Sequence, residues 1–334
     1  MPEERNVLAG RRTLVTGAGG FIGSHLVEAL VAAGASTRAF VRYDSRGTHG
    51  HLDDLDRSVL SEIELFPGDL RDGPTVARAV AGRDTVFHLA ALIAIPYSYI
   101  APEAYVATNV SGTLNVLDAS RKADVQHVVH TSTSEVYGTA QHVPITEEHP
   151  IRPQSPYAAS KAAADHLALA YHASFGTPVV VVRPFNTYGP RQSLRAVIPT
   201  IAAQLIRGGP VRLGSLSPTR DFTFVSDTVA GFVRAGTIPQ VVGRTVQLGT
   251  GVEIAIGDLA SLIAEIADVP LRIEEDQTRV RPASSEVERL IADPTLAREL
   301  LGWAPRVSLR DGLERTVAWL RERPLAERAA EYVL

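Results

Sequence analysis

At 334 residues, with 45% hydrophobic and 21% charged side chains, the chain has the composition of a water-soluble globular protein of two lobes or one enlarged domain. A formal net charge of -4 supplies no basic field for nucleic acid, and the absence of cysteine excludes disulfides, thiolate metal sites and a cysteine nucleophile. The N-terminus, from Met1 to Asn6, is polar, and the most apolar stretch, Val86 to Ile95, contains His88 and is half the roughly 20 residues a membrane span takes, so a cytoplasmic protein with no membrane partner is expected.

In chain order, Thr13–Thr16 reads as a buried strand and about Ile22–Ala33 as the helix after it. Thr37–Val41, Glu62–Phe66, Thr85–Leu89, Gln126–Thr131 and Val179–Arg183 read as further strands, separated by helical stretches. That alternation predicts right-handed crossovers and a parallel sheet with helices on both faces, the doubly wound (Rossmann) α/β class. After Arg183 prolines and glycines interrupt the pattern, at Gly189-Pro190, Gly208-Gly209-Pro210 and Ser217-Pro218. We therefore expect a dinucleotide-binding domain over 1–186 and a smaller C-terminal α/β lobe over 187–334. A return of the first domain near 245–268, through Val246–Gly249, interleaves the two. The tail from Arg321 to Leu334 is charged and helical in character.

The first strand runs directly into Gly17-Ala18-Gly19-Gly20-Phe21-Ile22-Gly23. The spacing Gly-x-Gly-x-x-Gly fails, because Ile22 stands at its third glycine, but Gly-x-x-Gly-x-x-Gly fits at Gly17, Gly20 and Gly23. Such a turn lets backbone approach a pyrophosphate and aims a helix N-terminus at its charge. Asp69, after the third strand, suits either an acceptor for an adenine amino group or a turn-stabilising carboxylate. An acidic residue at the end of the second strand holds a ribose 2′-hydroxyl and repels a 2′-phosphate. Val41 occupies that place, with Arg42 beside it and Arg46 close by, which favours NADP over NAD. A strand end two or three residues later brings Asp44 to a 2′-hydroxyl instead.

Tyr157 and Lys161 stand four residues apart, on one face of a helix. A cation beside a phenol lowers its pKa and makes it a usable base. Thr133 offers a hydroxyl to the group. Glu135 offers a carboxylate that simple alcohol oxidation does not need. His25, His88 and His130 have no metal-ligand spacing, and no metal is expected. Asp227, at the start of a helix, reads as an N-cap.

The glycine turn, Phe87-His88-Leu89-Ala90-Ala91, Asn109-Val110-Ser111-Gly112-Thr113, Thr133, Tyr157-x-x-x-Lys161 and Arg183-Pro184-Phe185-Asn186-Thr187-Tyr188-Gly189-Pro190 together resemble the extended short-chain dehydrogenase/reductase family. Arg220-Asp221-Phe222, Arg281-Pro282, Ser285-Glu286-Val287 and Leu301-Gly302-Trp303 are similar to its nucleotide-sugar enzymes, so the resemblance spans essentially the whole chain. Within that family, 4-epimerases carry small neutral residues after the hydroxyl residue, whereas 4,6-dehydratases carry Thr-Asp-Glu or Thr-Ser-Glu. Thr133-Ser134-Glu135 resembles the latter. Ile93–Tyr99 and Gly214–Asp221 look closest to the UDP-N-acetylglucosamine 4,6-dehydratases of the legionaminate pathway.

The resemblance implies a tightly bound NADP or NAD, recycled within each turnover and held by Gly17, Gly20, Phe21, Ile22, Gly23, Arg42, Asp69, Leu70, Leu89, Ala90, Ala91, Tyr157 and Lys161. It assigns a nucleotide-sugar substrate to Asn186, Arg191, Arg220 and Glu286. Oxidation at C4 acidifies the C5 proton, and loss of water across C5–C6 with hydride return to C6 gives a 4-keto-6-deoxy sugar. Tyr157 is then the base at the 4-hydroxyl and Glu135 the base at C5. Ser134 stands where a related type has an Asp acid for C6. The competing readings are a 4-epimerase, a 5,6-dehydratase or decarboxylase on the same scaffold, and a non-catalytic dinucleotide sensor. The resemblance also implies a homodimer through a four-helix interface of Ala158–Ser174 and Val106–Arg121.

Overall fold

The computed structural model describes residues 8–280 and 282–323, so Arg281 and tail residues 324–334 lie outside the described residues. Six strands alternate with helices: β1 (Arg12–Thr16), β2 (Ser36–Arg42), β3 (Ile63–Gly68), β4 (Thr85–His88), β5 (His127–Thr131) and β6 (Val179–Pro184). Further strands are β7 (Asn186–Tyr188), β8 (Val211–Leu213), β9 (Thr219–Phe224), β10 (Thr245–Leu248), β11 (Glu253–Ala255), β12 (Ile273–Glu275) and β13 (Arg289–Leu290). Among the described residues, seven strands form a parallel sheet in the order β10-β6-β5-β4-β1-β2-β3. The fold is therefore the doubly wound Rossmann class. Its order reverses between β1 and β4, where such sheets open a crevice at their carboxyl ends. β10 joins this sheet parallel to β6, although β7, β8 and β9 come between them in the chain. Outside this sheet β9 pairs with β7, β11 and β13, while β8 pairs with β12.

The central strands are buried on both faces, which is why they read as continuous β-branched runs. Successive side chains point to opposite faces. Leu14, Val86, Val128 and Val181 join one apolar core, and Val15, Phe87, Val129, Val180 and Val182 join the other. Each fully buried side chain of this kind contributes about 2 kcal/mol. The helix Pro156–Phe175 lies over the first of these cores. Ser155 caps it by accepting a hydrogen bond from the Ala158 amide (3.1 Å), Pro156 starts it, and Gly176 ends it in a left-handed conformation. Its buried side includes Ala158, Ala162, Ala164 and Ala168, small residues that bring the helix axis close to the sheet.

Two local features differ from the sequence expectation. The stretch expected as one helix from Val106 to Arg121 begins with π-helical turns over Val106–Ser111 and becomes an α-helix only at Gly112–Lys122. Its Asn109 side chain is engaged outside the helix, bonding the Leu92 amide and carbonyl and the Ser160 hydroxyl. Asp227 is not an N-cap but lies inside the first turn of helix Val225–Ala235. Its carboxylate accepts from the Arg306 and Val307 amides (2.9 Å each), tying the C-terminal segment to the second lobe. Among the described residues no helix is long and apolar enough to cross a membrane.

Candidate active site

The glycine turn follows β1 and opens helix Phe21–Ala32. Gly17 has φ +72°, and a Cβ there would stand 2.8 Å from the Ala90 backbone; at Gly23 it would stand 2.1 Å from the Gly17 carbonyl oxygen. Only glycine lets β1, the helix and the loop after β4 converge this closely. Phe21 and Ile22 begin the helix, both half-buried. Between this turn and the end of β2 lies a cavity of about 670 Å³, lined by Gly17, Gly19, Gly20 and the segment from Val41 to Gly50. Glycine backbone on one wall and side chains on the other fit an extended dinucleotide.

Where the cavity meets the end of β2, and beside it at the end of the paired strand β3, the polar groups are paired with one another. Asp44 bonds Arg46 (3.0 Å) and the Thr48 hydroxyl (2.6 Å), and these contacts hold its carboxyl well below the usual range. Asp69 bonds Arg71 (2.5 Å), whose side chain is the main cause of a pKa lowered to about 2. Leu70 is buried behind it, against Gly112. Arg42 is exposed at the end of β2.

At the opposite end, the loop after β4 is fastened at every step. The Leu89 amide bonds the Thr16 carbonyl (3.2 Å) and the Ala90 amide the Thr16 hydroxyl (3.2 Å), while Ala91 precedes Leu92, which Asn109 holds. Burial keeps His88 neutral, its pKa well below the usual range. Thr113 donates to the Asn109 carbonyl (2.6 Å) and so accepts from His88 Nε2 (3.0 Å). His88 Nδ1 then accepts from Thr16 (2.8 Å).

Tyr157 and Lys161 are both buried, on the first turns of Pro156–Phe175. The Tyr157 hydroxyl is hydrogen-bonded with Thr133, at the end of the segment that follows β5. Burial pushes the Tyr157 phenol up; the Thr133 bond opposes this, and Glu135 adds to it. This corrects the sequence expectation that Lys161 lowers the phenol's pKa: burial dominates, and the phenol is shifted up instead. Lys161 donates to the Thr131 carbonyl (2.5 Å), and burial lowers its pKa to about 8 against the opposing charge of Asp165. Thr133 caps a short 3₁₀ turn over Ser134–Tyr137 through the Glu135 amide (3.3 Å). Ser134 is buried there and Glu135 half-buried. Tyr105 packs edge-on against Tyr157, their ring centroids 6.3 Å apart.

The residues given to the substrate separate into two groups. Asn186 donates to the Asp221 carbonyl (3.3 Å), and Arg220 pairs with Glu286 (3.4 Å) beside it on β9. Arg191 lies elsewhere: at φ +67° it turns back to pair with Glu28 (2.6 Å) on the helix behind the glycine turn. Beneath Tyr157 and Lys161 is a cluster the sequence reading did not bring together: Asp165, His130, Ser132 and Arg183, all buried. His130, Arg183 and Asp165 belong to strands and a helix already read correctly, and Ser132 directly follows β5. The available signal was a polar residue interrupting an apolar face.

The chain matches the family model for GDP-mannose 4,6-dehydratase over residues 14–316. The chain belongs to this family. Among its relatives, a dTDP-glucose 4,6-dehydratase of Streptomyces griseus is 38% identical over 92% of this chain and 93% of its own length. A UDP-glucose 4-epimerase of Mycolicibacterium smegmatis is 37% identical, over 93% of this chain and 99% of its own. The solved dTDP-glucose 4,6-dehydratase DesIV of Streptomyces venezuelae, with NAD bound, superposes with a TM-score of 0.81 at 32% identity, covering 95% of this chain and 98% of that one. The GDP-mannose 4,6-dehydratase family places the chain among extended short-chain dehydrogenase/reductases that act on nucleotide sugars with NAD(P). Both dehydratases and epimerases lie close to it, so family membership leaves the fate of the sugar to the site itself.

Proposed function

We propose that the chain is a nucleotide-sugar 4,6-dehydratase whose substrate is UDP-N-acetylglucosamine. One observation carries the dehydratase reading: Glu135 lies in the turn capped by Thr133, the residue bonded to the Tyr157 hydroxyl, and its charge raises the phenol's pKa. A carboxylate beside an alcohol-oxidising pair is what elimination needs and epimerisation does not. A dinucleotide held along the turn of Gly17, Gly20 and Gly23 would supply a reversible hydride acceptor for C4 oxidation and C6 reduction. Tyr157 accepts the proton of the 4-hydroxyl while Thr133 bonds the same oxygen, and Lys161 supplies positive charge beside them. Glu135 removes the C5 proton, acidified by the neighbouring ketone. A proton from Glu135, or from water held at Ser134, accompanies the C6 hydroxyl as it leaves; as hydride reaches C6 a proton from Glu135 or solvent returns to C5, and the proton taken by Tyr157 is released, so the net loss is one water. Residues 1–186 with the return near 245–268 hold the dinucleotide, and Asn186, Arg220 and Glu286 serve the nucleotide sugar. Arg191 reaches the diphosphate only by leaving Glu28.

The choice of UDP-N-acetylglucosamine rests on the likeness of Ile93–Tyr99 and Gly214–Asp221. NADP is favoured by Val41 in place of an acid and by the exposed Arg42, whereas Asp44 and Arg46 largely neutralise each other. Equilibrium binding of NAD and NADP tests that preference, and tighter NAD binding overturns it. A homodimer is supported by the exposed stripe Ala159, Ala163, His166 and Ala170 on Pro156–Phe175 and by exposed Val106 and Leu114 on the neighbouring helix. A monomer mass by light scattering overturns it.

The deciding assay offers UDP-N-acetylglucosamine, UDP-glucose, dTDP-glucose and GDP-mannose separately and weighs the products. Loss of one water supports the dehydratase, and an unchanged mass with inverted C4 makes the chain an epimerase. Glu135→Gln is expected to lower water loss about a hundredfold while the C4 proton and hydride steps persist. Full water loss by this variant removes Glu135 from the mechanism.

A further inference from the structure

We propose that Asp165 is the positioning residue of the catalytic pair: a buried carboxylate that locks the strand end carrying Thr131 and Thr133 and keeps Lys161 charged. It deepens the reading above, and its test does not depend on which sugar reaction the protein performs.

The geometry begins with spacing. Tyr157, Lys161 and Asp165 follow one another at intervals of four, on one face of Pro156–Phe175. Opposite them, His130 and Ser132 project from β5 and the residue just beyond it, two apart and therefore on the same side of the strand. Asp165 accepts from His130 Nε2 (3.1 Å) and from the Ser132 hydroxyl (2.5 Å). It also accepts from Arg183 of β6, through Nε (3.2 Å) and Nη2 (3.0 Å). Residue 131 lies between the two pinned by Asp165, and its carbonyl receives the Lys161 ammonium (2.5 Å). Asp165 thus holds both sides of the group that orients Lys161, and Thr133 continues from the same segment.

The charges fit the same role. Arg183 and Lys161 are buried cations and Asp165 a buried anion, which leaves one net positive charge under the Tyr157 hydroxyl. Ionisation of Tyr157 would bring the cluster to neutrality. The other titratable groups around Lys161 are His88 from β4 and His130 from β5. Both are pushed by burial towards the neutral form. Glu135 and Tyr105 face Tyr157 from the 3₁₀ turn and from the helix before the π-helical turns. Arg183 also bonds Tyr137 (3.0 Å) and faces Glu147. Without Asp165 two cations would remain buried together, and the lysine, having the lower pKa, would release its proton.

The sequence provides a direct probe, because Lys122 and Lys161 are the only lysines of the chain. Protein labelled with ¹³C at lysine Cε gives two signals in a pH titration, and Lys122→Arg assigns them. In the wild type Lys161 is expected to titrate near the value of about 8 that burial imposes. In Asp165→Asn, which keeps shape but not charge, the midpoint is expected to fall by about one pH unit or more. A folded variant with an unmoved midpoint overturns the proposal. Asp165→Asn combined with Arg183→Gln removes one anion and one cation together and so preserves the buried charge balance should the single variant not fold. Because Asp165 is the charge that opposes burial at Lys161 and Arg183 is not among the causes acting on it, the Lys161 midpoint is still expected to fall, and an unmoved or raised one overturns the proposal. A lowered midpoint in the variant of a chain whose wild type releases no water from any of the four nucleotide sugars would reject the dehydratase reading while leaving Asp165 in its role.

Discussion

The two ends of the cofactor crevice are built on opposite principles. At the end proposed for the adenosine, Asp44–Arg46 and Asp69–Arg71 are pairs two residues apart on loops after β2 and β3, with exposed guanidinium groups and half-buried carboxylates. Under the catalytic pair, Asp165, His130, Ser132 and Arg183 come from a helix and two strands and are buried. Exposed pairs exchange one solvated arrangement for another and contribute little. A buried carboxylate that loses a partner keeps its desolvation penalty with nothing to offset it. The first end can change without disturbing the fold, and the second cannot. That difference suits a protein whose chemistry needs fixed geometry at the sugar and only binding at the adenosine.

The largest expected effect tests the buried end at its tip. Tyr157→Phe removes the hydroxyl alone, and kcat should fall about a thousandfold with an unchanged melting temperature; retained turnover would remove Tyr157 from the mechanism. Arg183→Gln tests the base of the same network. It leaves Asp165 buried with fewer donors and should destabilise the fold by about 3–5 kcal/mol in urea unfolding, and a loss within 1 kcal/mol, roughly the exposed-pair range, would erase the contrast between the two ends.

A smaller effect follows from pH. His88 and His130 have folded pKa values lowered by burial, so the unfolded chain binds the extra protons. Their contribution to stability is complete above the unfolded value, about 6.5, and is lost as pH falls towards their folded values. The melting temperature should therefore drop on going from neutral pH to pH about 5, more steeply in wild type than in His88→Asn. The smallest effect is at the adenosine end: Arg46→Ala should leave melting unchanged and act only on the affinity for the dinucleotide, read by calorimetry.

Much of the frame is legible from local pattern. β-branched runs separated by helices specify the parallel sheet, and Gly17, Gly20 and Gly23 specify the turn, because their constraints are set within a few residues. The helix carrying Tyr157 and Lys161 is similarly local, with Ser155 and Pro156 at its start and Gly176 at its end. The π-helical turns at Val106–Ser111 were not legible, since they depend on Asn109 finding Leu92 and Ser160 across the fold. Asp227 read as a cap because its partners, the Arg306 and Val307 amides, lie some eighty residues away.

By itself the sequence determined the order of strands and helices, the glycine turn and the residue types that the chemistry requires. Periodicity and spacing are properties of neighbours, and neighbours in the chain decide them. Only the tertiary structure decided that the inner face of three adjacent strands changes from valine to polar at its carboxyl end: Val86 to His88, Val128 to His130 and Ser132, Val181 to Arg183. It also decided that Asp165 meets the last two of these faces from the helix above. A buried charge is tolerated only where distant segments deliver its partners, and which segments meet is set by the packing of the sheet.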